Sequence, residues 1–557
     1  MFTDSQSVAG ETHTGPIATS AVQSGTDNAA LLAGTRWSSG SEKTYITYSF
    51  ADAASQYSSA SGSFQSTLSA FSVADQACTR DALASIAKVC NVEFVEVPDA
   101  GDSAGAVRFA YSEQPNLMGY AGYAFFPSPS DIGGDVWIGK AQAAPEWDSY
   151  RPNLILHETL HAIGLKHPFE GASVLSAQDN IIPNTVMSYS TVAGSQTGSL
   201  SRYPGEPMPA DVAALQQLYG AATNNAGDTR YDLADATFQT FRALWDSSGI
   251  DTLDAGRCEQ GVSLDLAMGA RSNIGVTIQA FAYQGSGPGH TFTQINYSET
   301  LAIVEGCTIE NATGSAFDDV LLGNAGDNVL SGGAGDDTLD GEGGNDILLG
   351  GDGNDHFHVG AGSGLVAIDG GAGDDTVVFA GQRADYRIGD AHGEVTVSRL
   401  ADPASVITLA GVERVEFSDA ALEARAASAP AFQTEGVSGQ ALRLYKAALD
   451  RLPDASGLAF QAKALQDGQS LSDVAQHFMA SPEFNARFGS PQDSEFVNLL
   501  YHNVLDRDAD APGMAYYVDK LASHSASRAD VLVGFSESPE NQATVVGLGQ
   551  TTALYPV

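Results

Sequence analysis

Basic residues are scarce in this 557-residue chain: 26 Lys and Arg face 68 Asp and Glu, a formal net charge of −42. Phosphate backbones would be repelled by such a surface, which argues against nucleic acid as a partner. Long apolar runs are missing too. Nothing approaches the ~20 residues that span a bilayer, so no transmembrane segment is expected. The first thirty residues lack the basic start and apolar core of a Sec-type signal. They are rich in Ser, Thr, Gly and Ala, and residues 1–34 read as a flexible N-terminal segment. The four cysteines (Cys78, Cys90, Cys258 and Cys307) contain no CxxC pair, which argues against a thiolate zinc site. Cys78 and Cys90 flank a helix-like stretch that would hold them ~18 Å apart, beyond disulfide reach. Whether Cys258 and Cys307 pair is left open.

What is present falls into three regions. Residues 35–225 mix helical and strand patterns. FSVADQACTRDALASIAKV has amphipathic spacing, and VEFVEV, AVRFAYSE, GYAFFP and GDVWIGK read as strands between turn residues. Helical spacing resumes over Asn153–Ile163 and over Pro209–Tyr219, the latter ended by Gly220. Residues 226–425 are rich in Gly, Asp and β-branched residues, with helical patterns almost gone. Residues 426–557 are helical and duplicated: LYKAALDRLPDASGLAF from Leu444 matches LYHNVLDRDADAPGMAY from Leu500. In that duplication Asp450, Asp454, Asp506 and Asp510 could chelate a cation, although turn aspartates more often cap helices.

The middle region holds a shorter repeat. Copies begin at Gly314, Gly323, Gly332, Gly341 and Gly350, a nine-residue period, and a sixth begins at Gly370 after the longer HVGAGSGLVAI step. Units this short must stack on one another. Each supplies a GGxGxD turn and a short strand with one inward aliphatic, over residues 314–380. The sixth positions are Asp319, Asn328, Asp337, Asp346, Asp355 and Asp375. Stacking brings alternate copies together, Asp319 to Asp337 and Asp337 to Asp355. Such carboxylates repel unless a hard cation lies between them, and an all-oxygen set suits calcium. The turn glycines Gly332, Gly333, Gly335, Gly341, Gly344, Gly350 and Gly353 would frame the same ions with backbone oxygens. The step before Gly370 is expected to interrupt the stack.

One stretch stands apart: HETLHAIGLKHP, residues 157–168. His157 and His161 lie four apart and share a helix face, so both can reach one metal. Glu158 sits one position round, able to touch a water there without ligating. Gly164 ends the helix in a left-handed turn that lets His167 approach from another direction. Three neutral imidazoles leave a fourth zinc position open, as in catalytic sites. With His near 2% of residues, the pattern HExxHxxGxxH arises by chance on the order of 10⁻⁵ of the time in such a chain.

HExxHxxGxxH, followed by Met187-Ser188-Tyr189, resembles the metzincin metalloproteases, and the nonapeptides resemble the RTX repeats of their serralysin branch. GDVWIG, VAALQQLYG and WDSSGIDTLDAG extend the likeness over about Thr35–Ala380. The resemblance implies an α/β metzincin catalytic domain, then an all-β parallel β-roll, then an all-α duplicated C-terminal domain. It implies one catalytic zinc on His157, His161, His167 and Tyr189, and several structural calcium ions. It gives Glu158 the role of general base and makes Tyr189 a ligand that swings away to assist the reaction. It makes Met187 the Met-turn residue beneath the metal and GYAFFP the edge strand that pairs with substrate. Proteins or peptides would be the substrates, cleaved outside the cell after type I, signal-peptide-independent export, with residues 1–34 a candidate pro-segment. The helical region resembles a domain of unknown function appended to secreted bacterial proteins and would dock a cell-surface partner. The competing reading is a calcium-binding, adhesin-like surface protein with an inactive head.

Overall fold

The computed structural model describes residues 17–19, 27–39, 43–57, 67–100, 104–140, 150–195, 198–284, 291–360, 362–391, 394–426, 437–449, 455–466, 468–489, 491–505, 507, 509–538 and 552–556. A mixed α/β region comes first, a long strand-rich region second and helices last. Two compact units result. One gathers residues 1–229, 234–250 and 268–308; the other gathers 230–233, 251–267 and 309–557. The two units interleave along the chain rather than dividing it at one point. The antiparallel hairpin Arg271–Gln284 and Thr291–Ile303 belongs to the first unit. Its polar side chains reach back within that unit: the Arg271 guanidinium donates to the Pro183 carbonyl at 2.9 Å, and the Tyr297 hydroxyl to that of Thr191 at 2.8 Å.

In the first unit, β1 (Thr44–Phe50), β2 (Val92–Glu96), β3 (Val107–Ser112), β4 (Gly122–Ala124) and β5 (Val136–Gly139) form one sheet in the order β2-β1-β3-β5-β4. All pairings are parallel except β5 with β4, which is antiparallel and leaves β4 at the edge. The central β3 is buried along its whole length, as a parallel strand covered on both faces must be. Helix α1 (Val73–Val89) starts at Ser72, whose hydroxyl accepts from the Asp75 amide at 3.1 Å, and buries Ala82, Leu83, Ile86 and Val89. Helix α2 (Tyr150–Ala162) lies against α1, β4 and β5, and α3 (Pro209–Tyr219) follows. The Trp37 indole donates to the Ala162 carbonyl at 2.9 Å, and the Tyr219 hydroxyl to that of Ile163 at 2.7 Å. Both fix the end of α2.

The N-terminal segment is less loose than expected. Ala29, Ala30, Leu31 and Leu32 are buried, Leu32 bridges Leu165, and the Lys166 ammonium donates to the Ala30 carbonyl. The apolar run NAALLA supplies the side chains that residues 29–32 bury. No disulfide joins Cys258 to Cys307 among the described residues, which answers the question left open.

In the second unit the repeats wind into two parallel sheets. One runs β6 (Val320–Asn324), β8 (Thr338–Glu342), β10 (His356–Val359), β12 (Thr376–Phe379) and β14 (Arg414–Phe417). The other runs β7 (Val329–Ala334), β9 (Ile347–Asp352), β11 (Val366–Ala372) and β13 (Val406–Ala410). Leu321, Leu330, Leu339, Leu348, Phe357 and Val377 fill the space between them. The step before Gly370 does not interrupt the stack, contrary to expectation. Val366–Ala372 keeps strand register with β9, Ile368 opposite Leu348, so an irregular turn replaces a repeat while the sheet runs on.

Among the described residues seven helices follow: α4 (Val437–Leu449), α5 (Ala455–Gln466), α6 (Leu471–Ala480), α7 (Pro482–Phe488), α8 (Asp493–Leu505), α9 (Ala511–Ala522) and α10 (Arg528–Ser536). Leu444, Val474, Phe496, Leu500 and Leu532 share their core. Asp510 accepts from the Gly513 amide at 2.8 Å and caps α9, the ordinary role of a turn aspartate. Asp450, Asp454 and Asp506 lie outside the described residues. The outward side chains of β7 and β9 differ from those of β8 and β10: Val329 and Ile347 are buried against Ala441 and Leu442 of α4, with Leu349 and Leu465 alongside. The helical module thus docks on the roll of its own chain. Leu442→Asp would set a carboxylate on that apolar seam, at a cost of at least about 3 kcal/mol. It is expected to undock α4 while the β12–β14 amides stay protected from hydrogen exchange. Unchanged α4 protection would show that the seam does not hold the module.

Candidate metal centre

The helix α2 pattern places His157 and His161 on one face, and the chain turns at Gly164 (φ 109°). A Cβ at that glycine would overlap the Thr35 carbonyl, so only glycine lets the chain return with His167. The three buried imidazoles converge: His167 Nε2 lies 3.2 Å from His157 Nε2 and 3.1 Å from His161 Nε2.

Proton positions follow from the other ring nitrogens. His157 Nδ1 faces the Val186 carbonyl at 2.8 Å and His161 Nδ1 the Leu165 carbonyl at 2.7 Å. A carbonyl only accepts, so both Nδ1 atoms carry the proton. His167 Nδ1 sits 3.0 Å from Glu170 Oε1, which fixes the same tautomer. Three Nε2 lone pairs then point at one another with no proton among them, an arrangement that repels unless a cation sits between. Burial holds the His157 imidazolium down to about 4 and that of His167 to about 2, so the rings are neutral at pH 7. Nitrogens of a tetrahedral zinc site stand about 3.3 Å apart. The donor set fits zinc.

Two expected residues complete the cluster. Tyr189 Oη is 2.7 Å from His167 Nε2, and its ring stacks on His157 with centroids 5.7 Å apart. Glu158 is buried against β4, where a Cβ at Gly122 would come within 2.5 Å of its Oε1. Burial alone pushes its carboxyl up to about 8, and a cation nearby would bring it back down. Met187 is fully buried.

Two supporting carboxylates went unread in the sequence. Glu170 orients His167. Asp211, at the first turn of α3, accepts from the Thr185 hydroxyl at 2.6 Å, the Val186 amide at 2.8 Å and the Met208 amide at 3.0 Å. It thereby fixes the turn whose Val186 carbonyl orients His157. Burial raises its carboxyl to about 6, against the pull of those three donors. Asp211→Ala leaves the Val186 and Met208 amides without their acceptor, at about 1–3 kcal/mol. It is expected to weaken zinc binding about 10–100-fold, as supporting-ligand losses do. Competition against a chromogenic chelator reads this, and wild-type affinity would remove Asp211 from the ligand support.

In the second unit the sixth positions form two ladders. The Val262 amide donates to Asp319, Asp319 to Asp337, Asp337 to Asp355, Asp355 to Asp375 and Asp375 to Glu413 Oε2, the last four at 2.8 Å. On the other side the Asn328 amide donates to Asp346 at 3.0 Å and that of Asp346 to the Leu365 carbonyl. The second oxygens of Asp337, Asp346, Asp355 and Asp375 are buried and find no donor among the described residues. Gly332, Gly341 and Gly350 lie where a Cβ would overlap those carboxylates, and Gly333, Gly335, Gly344 and Gly353 take positive φ. Asp319 and Asn328 differ: their acceptors are met, Asp319 by Ser315 and Asn328 by the Asn324 amide. Orphaned oxygens beside carbonyls fit calcium.

Known proteins carry the same parts. The RTX calcium-binding nonapeptide repeat family matches residues 313–348, 337–366 and 367–382, and DUF4214, a domain of unknown function, matches residues 475–545. Metallopeptidase AprA of Pseudomonas marginalis is 31% identical over 51% of this chain and 61% of its own length. Serralysin of Photorhabdus laumondii subsp. laumondii is 30% identical over 46% of this chain and 55% of its own. Serralysin B of Dickeya chrysanthemi is 29% identical over 36% and 42%. The chain spans about half the length of these relatives. It is serralysin-like over that part, with RTX calcium-binding repeats and the expected appended domain of unknown function. Among the described residues no helix is long and apolar enough to cross a membrane.

Proposed function

We propose that the chain is a secreted zinc metalloendopeptidase with an α/β metzincin catalytic domain, stabilised by calcium in its roll. The observation that carries this is the convergence of three neutral Nε2 lone pairs, each ring fixed from behind, with a buried carboxylate, Glu158, next in sequence to the first of them. His157, His161 and His167 would hold zinc, with Tyr189 within reach. Zinc, when bound, supplies Lewis acidity that polarises a carbonyl and makes water a stronger acid.

The chain's own residues do the rest. Glu158 takes the proton of the attacking water and hands it to the leaving amine. The Tyr189 hydroxyl donates to the oxyanion as it develops. The free edge of β4 pairs with an extended protein segment and sets its scissile bond over Glu158. Asp337, Asp346, Asp355 and Asp375, with Asp319 and Asn328 at the first turns, would line the calcium sites with the turn glycines. Type I export fits a roll that folds only when calcium is met outside the cell. A cell-surface partner would dock on the helical module, where Phe460 and Tyr516 are exposed. The adhesin-like reading is the weaker one, because Glu158 and all three histidines are in place.

Casein hydrolysis by the purified full chain tests the proposal. Cleavage should disappear with a zinc chelator and return with added zinc; a zinc-loaded chain that leaves casein and other unfolded proteins intact would overturn it.

A further inference from the structure

We propose that the turn after the last nonapeptide, Gly411–Glu413, closes a calcium site of its own with Asp369 and Asp375. Nothing in the nine-residue period marks such a site: Asp369 precedes the sixth copy and residues 411–413 lie outside it.

Asp369 carries the argument. It sits in β11 between Leu349 and Ala410, neither of which offers a polar side chain. It is 97% buried, with a relative exposure of 3%. The Gly371 amide faces it and favours its charged form, yet neither carboxylate oxygen completes a hydrogen bond among the described residues. The residue at the same place in the repeat of β8, Asp340, is only partly buried and accepts from the Glu342 amide at 2.8 Å. A buried carboxylate with two orphaned oxygens is rare in a folded chain and calls for a cation.

The surroundings supply the rest of a coordination sphere. Gly411 has φ 56°, and a Cβ built there would stand 3.1 Å from Asp369 Oδ1 and 3.3 Å from the Gly371 carbonyl. A Cβ at Gly370 would overlap the Gly411 carbonyl oxygen and fall 2.5 Å from Asp375 Oδ2, which also lacks a donor. Asp369 Oδ1 and the Gly371 carbonyl thus flank Gly411 on one side, where the Gly371 amide also lies, and Asp375 Oδ2 and the Gly411 carbonyl itself meet at neighbouring Gly370, with no side-chain nitrogen or sulfur at either place. That is an oxygen-only set of charge −2, suited to calcium. Glu413 takes the next rung of the ladder by accepting the Asp375 amide at 2.8 Å, so the turn ends the stack as a repeat would.

The site rests on the reading that the repeats bind calcium, and the test separates the two. Equilibrium dialysis with radioactive calcium would count the ions on the full wild-type chain, on Asp369→Asn and on Asp340→Asn. The expected result is one ion fewer for Asp369→Asn and the wild-type count for Asp340→Asn. Thermal melts add a sign. Asp369→Asn should melt above wild type without calcium, where it removes an uncompensated charge, and below it at saturating calcium. A wild-type chain that binds no calcium defeats the repeat reading and this one with it. An unchanged count, or a variant more stable under both conditions, defeats this site alone. Should the variant fail to fold, wild-type crystals grown in calcium decide. An anomalous peak about 2.3–2.6 Å from the Asp369 carboxylate supports the site, and peaks confined to the other turns overturn it.

Discussion

Replacing Glu158 with Gln is expected to lower kcat for peptide hydrolysis by about 10²–10⁴-fold, the span that general-base removal typically costs. In a casein assay that reads as loss of cleavage. Gln has the same shape and fits the same buried place beneath Gly122, so the change removes a proton acceptor and leaves the packing intact. Zinc should remain, because the three imidazoles and their tautomers are set by the carbonyls of Val186 and Leu165 and by Glu170. Only the ionised carboxylate accepts a proton. Wild-type activity should therefore rise with pH through the Glu158 pKa, on a limb that burial moves upward and a bound cation moves back. The check is kcat together with zinc content by mass spectrometry. Cleavage near the wild-type rate by a clean, zinc-loaded variant would move the base elsewhere.

The positions that sequence reasoning found are those governed by local geometry. His157 and His161 follow from helix periodicity, and the return of His167 from one glycine whose φ only glycine adopts easily. Met187 and Tyr189 carry no local signal and entered through family likeness. Asp211 and Glu170 were missed for a physical reason. An acid in the first turn of a helix usually serves that helix, and nothing in the sequence says that Asp211 faces a turn some 25 residues upstream. In the roll, the period fixed the ladder partners 18 residues apart, because each turn repeats every second copy. It misjudged the step before Gly370, since sheet continuity depends on strand register and not on repeat count. The docking of the helical module did leave a trace. Val329 and Ile347 alternate with Thr338 and His356 at the same outward position, so one face of the roll is apolar and the other is not.

Removing calcium from the full chain at pH 8 is expected to melt the roll, and the same removal at pH 5 to harm it far less. The sign follows from the four orphaned carboxylates. Burial first, and then repulsion from neighbouring aspartates, raise Asp337 and Asp375 to about 7, Asp346 to about 8 and Asp355 to about 6. In an unfolded chain each would titrate near ~3.9. The metal-free folded roll therefore holds more protons than the unfolded chain between the two ranges, and stability falls as pH rises wherever the folded state binds more. The stabilisation is complete below about pH 4 and is lost through pH 6–8. Calcium reverses this order, because it needs the same oxygens bare. Each ion at a hundred times its Kd adds about 2.7 kcal/mol, so several ions outweigh the repulsion that appears as protons leave. The module goes with the roll: without β7 and β9, Ala441 and Leu442 lose the surface they cover. Thermal melts of calcium-stripped and calcium-saturated chain, followed by circular dichroism at pH 5, 6.5 and 8, measure the effect. The gap between the two curves should widen with each step in pH. A gap that stays constant, or one widest at pH 5, would mean that these aspartates are not what calcium neutralises.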